Sequence, residues 1–164
     1  MKKQGGQDII EFTLMVPLFF VCLFAIMAGG LFFRDYITYN SVVRSAAREA
    51  SLVVAQGVSD KSEDQPQKFK DISNQIYNAY NGQDKNHPHL YIVNSPGDIT
   101  IEGVEMGNDN TPSIEVKLTA TKNTGGNGFI NGVANAGIIL PDTQQFTYYM
   151  YWENNTKNNS KVQP

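Results

Sequence analysis

Gly6-Gln7-Asp8-Ile9-Ile10-Glu11-Phe12 is the point where a short basic leader meets a long apolar run, and that run continues to Phe33 without another charge. As a helix rising about 1.5 Å per residue, the 22 residues from Phe12 to Phe33 span about 33 Å, close to the ~30 Å hydrocarbon thickness of a bilayer. A carboxylate at the mouth of such a segment is costly beside lipid and requires a partner. Cleavage after Gly6 supplies one. Gln7 then becomes a new N-terminus, and its ammonium lies one helical turn, about 6 Å, before Glu11. The competing role for Glu11, with Asp8, is to sit among headgroups at the positive end of the helix dipole.

Working outward, Lys2 and Lys3 precede the run, whereas Arg34 is balanced at once by Asp35. The positive-inside rule therefore places the N-terminus in the cytoplasm and everything after Phe33 outside it. Pro17 lacks a backbone donor and crowds the preceding turn, so a kink is expected near Thr13 to Pro17. Asp8, Glu11 and the length of the run argue against an ordinary signal peptide cut near Ala28-Gly29-Gly30.

The whole chain has 164 residues and a net charge of -3. Lys2 and Lys3, two of its 13 basic side chains, leave with residues 1–6, while all 16 acidic side chains remain. Such a surface has no electrostatic footprint for nucleic acid. Cys22 is the single cysteine, so no intramolecular disulfide forms.

Past Phe33 no Gly or Pro appears before Gly57, and Tyr36, Tyr39, Val43, Ala46 or Ala47, Ala50 and Val53 or Val54 recur at helical spacing. The helix is expected to continue as a stalk, from about Asp8 to Gln56, with that stripe seating a soluble domain.

Gly6-Gln7, Glu11-Phe12, Pro17 and Ser45-Ala46-Ala47-Arg48-Glu49-Ala50 together resemble the TadE-like proteins, minor pilin-like components of tight-adherence (Flp) pili. The general plan is also similar to type IV pilins and type II secretion pseudopilins; Glu11-Phe12 followed by Pro17 favours the TadE-like group. The resemblance implies processing by a prepilin peptidase, with Gly6 before the cut, Gln7 as mature residue one and Glu11 as the assembly glutamate. Gly5-Gly6 leaves the cut ambiguous by one residue. The implied partners are that peptidase, other pilins or pseudopilins, an inner-membrane platform with its ATPase, and membrane lipid.

Residues 58–68 read as a polar linker or loop, and Phe69, Ile72, Ile76, Tyr77 and Tyr80 predict a second helix over 67–81. Strand character follows at 90–93, 99–104, 114–121 and 146–152, clearest where Ile114, Val116, Leu118 and Ala120 alternate with Glu115, Lys117 and Thr119. Gly107-Asn108-Asp109-Asn110 suggests a hairpin turn. Residues 123–141 read as a long glycine-rich loop with apolar points at Phe129, Ile130, Val133, Ile138, Ile139 and Leu140. That loop either packs down or forms a contact surface. In the last strand, alternation turns Phe146, Tyr148, Met150 and Trp152 inward and leaves Tyr149 and Tyr151 as candidate surface contacts.

His87-Pro88-His89 lacks metal-ligand neighbours and reads as an exposed loop, and Asp60, Glu63 and Asp64 do not follow a calcium-loop pattern. No nucleophile, phosphate or dinucleotide motif is present, so neither enzyme activity nor a metal or cofactor is expected. The expected architecture is α+β and pilin-like: residues 1–6 a leader, 7–33 a transmembrane helix, 34–57 a helical stalk, 58–153 an extracytoplasmic domain with a small antiparallel sheet and one further helix, and 154–164 a disordered tail. The expected role is to assemble, prime or cap a tight-adherence pilus or related secretion filament, at the cytoplasmic membrane or in an extracellular pilus. The alternatives are an uncleaved, membrane-tethered adhesin or ligand-binding protein, and a released hydrolase beginning at Leu31.

Overall fold

A computed structural model of the chain describes residues 5–55, 64–80, 89–106, 111–135 and 140–151, with only the backbone for residues 5–7, 64–66, 105, 106 and 111. One helix, α1 (Gly5–Ala55), runs through both the apolar run and the stalk, with Pro17 inside it. Its first half is apolar on every side, and its second half is amphipathic. That change of pattern determines where the rest of the chain packs.

The buried stripe of α1 is Ala28, Asp35, Tyr39, Val43, Ala46, Ala47, Ala50 and Val54, a spacing of three and four residues beyond Asp35. It differs from the expected stripe at one end: Tyr36 is exposed and Asp35 takes the buried position. The alanines on this stripe allow close approach of a second helix, α2 (Asp64–Tyr80). Phe69, Ile72 and Ile76 are its buried face. Tyr80 reaches Tyr39 with ring centroids 5.5 Å apart.

The sheet covers the rest of the stripe. Strand β1 (Tyr91–Ile92), a short 3-10 turn (Pro96–Asp98), β2 (Ile99–Met106) and β3 (Thr111–Lys122) come first, and β4 (Thr143–Tyr151) comes last. All pairings are antiparallel, and β3 pairs with the other three. The hairpin register runs from Ile99 opposite Leu118 to Met106 opposite Thr111; residues 107–110, where the turn is expected, lie outside the described residues. Ile114, Val116, Leu118 and Ala120 are buried against α1, as their alternation predicts. Ile114, Val116 and Leu118 each contribute about 1.5–3 kcal/mol on burial. Phe146 lies opposite Leu118, and Tyr148 opposite Val116, so β4 adds its own inward row.

The strands extend beyond their expected bounds at 99–106, 111–122 and 143–151, whereas β1 is shorter. A larger correction concerns residues 123–141. They are not a plain loop: α3 (Gly128–Asn135) forms there, with Ile130, Val133 and Ala134 buried. Among the described residues the domain therefore holds two α-helices besides α1. Glycine density hid α3, because glycine lowers helix propensity and this short helix is stabilised by its buried face. Gly126 permits the tight entry to it, since a Cβ there would lie 2.8 Å from the Asn123 side-chain nitrogen. Trp152, Gly82, His87 and the tail lie outside the described residues.

Candidate functional site

The exposed half of α1 is built from side chains that a soluble protein would bury. Ile9, Phe12, Leu14, Leu18, Phe19, Phe24 and Ile26 are all more than half exposed. All-round exposure of large apolar side chains runs from Ile9 to Met27, about 27 Å along the axis, and Ala28, 1% exposed, is the first buried position; beyond it only the outward face stays exposed. Asp8 and Glu11 lie at the start of this surface, both exposed. Pro17 lies nearby inside the helix, where the Thr13 carbonyl lacks the donor that residue 17 ordinarily supplies. One turn earlier, the Thr13 hydroxyl donates to the Ile9 carbonyl at 2.8 Å.

Where the exposed half ends, a buried carboxylate fastens the domain to the helix. Asp35 is 1% exposed. Its Oδ2 accepts the Leu90 and Tyr91 backbone N–H groups at 2.5 and 3.1 Å. Its Oδ1 takes His89 Nδ1 at 2.8 Å and the Arg34 guanidinium at 3.1 Å. A carboxylate only accepts, so the imidazole carries its proton on Nδ1. Burial of a charge is tolerable here because both oxygens are saturated with donors. Tyr39, one turn along, donates its hydroxyl to the Tyr91 carbonyl at 2.6 Å. Burial, followed by the Asp35 charge and Tyr80, pushes the Tyr39 phenol well above the ordinary tyrosine range. The Tyr91 phenol is raised for the same leading reason, with Asp142 and Asp35 adding to it.

Residues 6–48 match the model of the TadE-like protein family. The matched stretch lies wholly within α1 and takes in the exposed half and Asp35, but not His89, Leu90 and Tyr91, its partners in the clasp. Neither a curated protein nor a solved structure matches the chain. A TadE-like match implies a pilin-like protein associated with tight-adherence pili, from a family that is structural and not enzymatic. Its apolar helix is long enough to cross a membrane once.

Within the TadE-like stretch, Gly6, Gln7, Glu11 and Pro17 all belong to α1. Four residues separate Gln7 from Glu11, so both fall on one face of the helix. Beyond Met27 the outward face of α1 carries Phe33, Ile37, Ser41, Arg44, Arg48 and Leu52, again at helical spacing and all exposed. Tyr149 and Tyr151, the candidate contacts elsewhere, lie on β4 with 41% and 64% exposure. Tyr149 donates to Glu115 Oε1 at 2.6 Å, and Lys117 is 3.0 Å from the same oxygen. Those two partners, the hydroxyl first, hold the Glu115 carboxyl below its usual range. Tyr151 lies opposite Ser113 in the register, two residues from this cluster.

In the sequence Asp35 reads as the partner of Arg34 and His89 as part of an exposed loop, and neither is joined to the other. His89 is half-buried between the Tyr39 and Tyr80 rings, at 6.0 and 5.7 Å, and is not part of an exposed loop. A signal for Asp35 did exist: it stands four residues before Tyr39 and eight before Val43, on the buried stripe. The adjacent Arg34 hid it by suggesting a neutral surface pair. Along α2 and β2 a groove of about 730 Å³ is lined by Phe69, Ser73, Pro96 and Ile101, with Lys70 and Glu102 also among its residues. The Ser73 hydroxyl in it donates to the Ile99 carbonyl at 3.2 Å.

Proposed function

We propose that this chain is a minor pilin-like subunit that assembles, primes or caps a tight-adherence pilus or related filament after removal of residues 1–6. The observation that carries this reading is the half of α1 that its own domain leaves uncovered: an apolar cylinder from Ile9 to Met27 headed by Glu11. A helix apolar on all sides needs an apolar environment supplied from outside, first by lipid and then by the helices of other subunits. Cleavage after Gly6 creates an ammonium one turn from Glu11, on the same helix face, within reach of the carboxylate of its own chain or of a neighbour. The outward row of Phe33, Ile37 and Leu52 extends the surface available to neighbouring subunits above the membrane.

In this reading Gly6 and Gln7 flank the scissile bond, Glu11 sets register during assembly, and Pro17 loosens the helix within the membrane. The N-terminus is cytoplasmic and the domain extracytoplasmic, consistent with Lys2 and Lys3 ahead of the run. Tyr149 and Tyr151 offer a further contact surface on β4. The deciding experiment is the intact mass and N-terminal sequence of the protein from cells with and without an active prepilin peptidase. A peptidase-dependent terminus at Gln7 is expected. Retention of Met1 overturns the reading in favour of an uncleaved adhesin, and a terminus at Leu31 in favour of a secreted protein. Glu11→Leu is expected to leave cleavage intact while reducing recovery of the subunit in sheared filaments.

A further inference from the structure

The connection from β3 to β4 lies at the membrane end of the domain. Along β4, Phe146 contacts Tyr36 and Tyr39 at 5.6 and 5.4 Å, and Tyr148 lies under Arg44 at 5.7 Å. The strand therefore climbs away from the exposed half of α1, and β3, antiparallel to it, descends toward that half. At the foot of the pair, Tyr91 touches Phe32 with ring centroids 6.1 Å apart and gives its hydroxyl to the Pro141 carbonyl at 2.7 Å. Lys122 and Asp142 close the neck of the connection, with backbone contact at 2.9 Å and an ion pair at 3.1 Å. Beyond that neck, from Asn123 to Pro141, no side chain is charged.

The absence of charge in one chain segment coincides with its position. Ala28 is buried within the domain's core cluster, about 8 Å below Phe33 on the helix axis. The exposed length of about 27 Å from Ile9 to Met27 already approaches the hydrocarbon thickness, which places the outer boundary of the bilayer near Ala28. The foot of the domain thus meets the membrane surface. There α3 has one apolar face inward, through Ile130, Val133 and Ala134, and leaves Phe129, one turn before Val133 at the edge of that face, 47% exposed.

We infer that α3 rests on the outer face of the bilayer that α1 crosses, with Phe129 inserted at the boundary between headgroups and acyl chains. This rests on the reading of α1 as a membrane anchor. The occupant is lipid, not another protein, because the packing of β3 and β4 on α1 holds the connection that carries α3 at that depth, and because a segment without charge from Asn123 to Pro141 suits an interface where apolar rings enter and unpaired charges are costly. An anchor at two points, α1 and Phe129, fixes the tilt of the domain above the membrane, which one helix alone does not.

The test uses full-length protein in phosphatidylethanolamine–phosphatidylglycerol vesicles. Trp152→Phe removes the single native tryptophan, and Phe20→Trp, Phe129→Trp or Tyr151→Trp then places one reporter mid-helix, on α3 or at the far end of β4. Quenching by lipids with spin labels near the headgroup or deep in the chain reads depth. At position 129, shallow quenching is expected to exceed deep quenching by about twofold. Position 20 should respond to the deep label and position 151 to neither. If 20 is quenched and 129 is not, the anchor stands and the seating of α3 is overturned. If 20 is unquenched, the anchor fails and the inference with it. Emission at 129 that shifts with protein density but not with lipid label also overturns it, in favour of contact with a second copy.

Discussion

The two halves of α1 share one uninterrupted backbone and have opposite surroundings. Between Ile9 and Met27 the helix is apolar on every face and none of its large side chains is buried; between Asp35 and Val54 every third or fourth residue is buried by the chain's own sheet and second helix. Helix propensity does not separate them. What does is periodicity: a stripe one side wide can be satisfied by one domain, whereas a cylinder apolar all round cannot. The second half makes a fold, and the first half makes a demand on the environment.

The comparison breaks most sharply at Asp35, where the self-sufficient half begins. Asp35→Ala removes the acceptor of two backbone donors and of His89, and is expected to cost about 4 kcal/mol of domain stability, read by chemical unfolding of the full chain in detergent. A cost under about 1 kcal/mol would show that water reaches those donors and that Asp35 does not clasp the domain to the helix. Leu118→Ala, in the fully buried row of β3, is expected to cost about 3 kcal/mol in the same assay. Tyr39→Phe retains the ring and loses the hydroxyl bond to Tyr91, for about 1 kcal/mol.

Alkaline titration sharpens the same contrast. Tyr39 and Tyr91 have folded values above their unfolded ones, so their contribution is complete below the ordinary phenol range and is lost as pH rises through the raised values. The unfolding midpoint should fall on the alkaline side, and less steeply in Tyr39→Phe. At the small end is Phe20→Ala in the exposed half: domain unfolding should change by less than about 0.5 kcal/mol, whereas the same truncation at a buried aromatic such as Phe146 costs several times more. Equal costs at Phe20 and Phe146 would mean that the two halves are not independent.

Much of this was legible beforehand. The apolar run, the continuing stalk, the second helix and the alternation in β3 each rest on a period that survives in linear sequence. The TadE-like signature was legible for the same reason, since Gly6, Glu11, Pro17 and the Ser45 to Ala50 segment lie along one helix. The α3 segment and the Asp35 clasp were not. In α3, eight residues with two glycines carry too little pattern to outweigh low propensity. In the clasp, the partners stand 54 to 56 positions apart, and only tertiary packing brings His89, Leu90 and Tyr91 to the carboxylate.

By itself, then, the sequence determined the long helix, its change from all-round to one-sided apolarity, and the strands that read as alternation, because these are consequences of spacing along one chain. Tertiary structure alone decided which positions of that helix the rest of the chain covers, Ala28 and then Asp35 onward, and which charge it buries there. Those outcomes depend on which distant segments compete for the same stretch of helix surface, and hydrophobic burial is settled between segments, not within one.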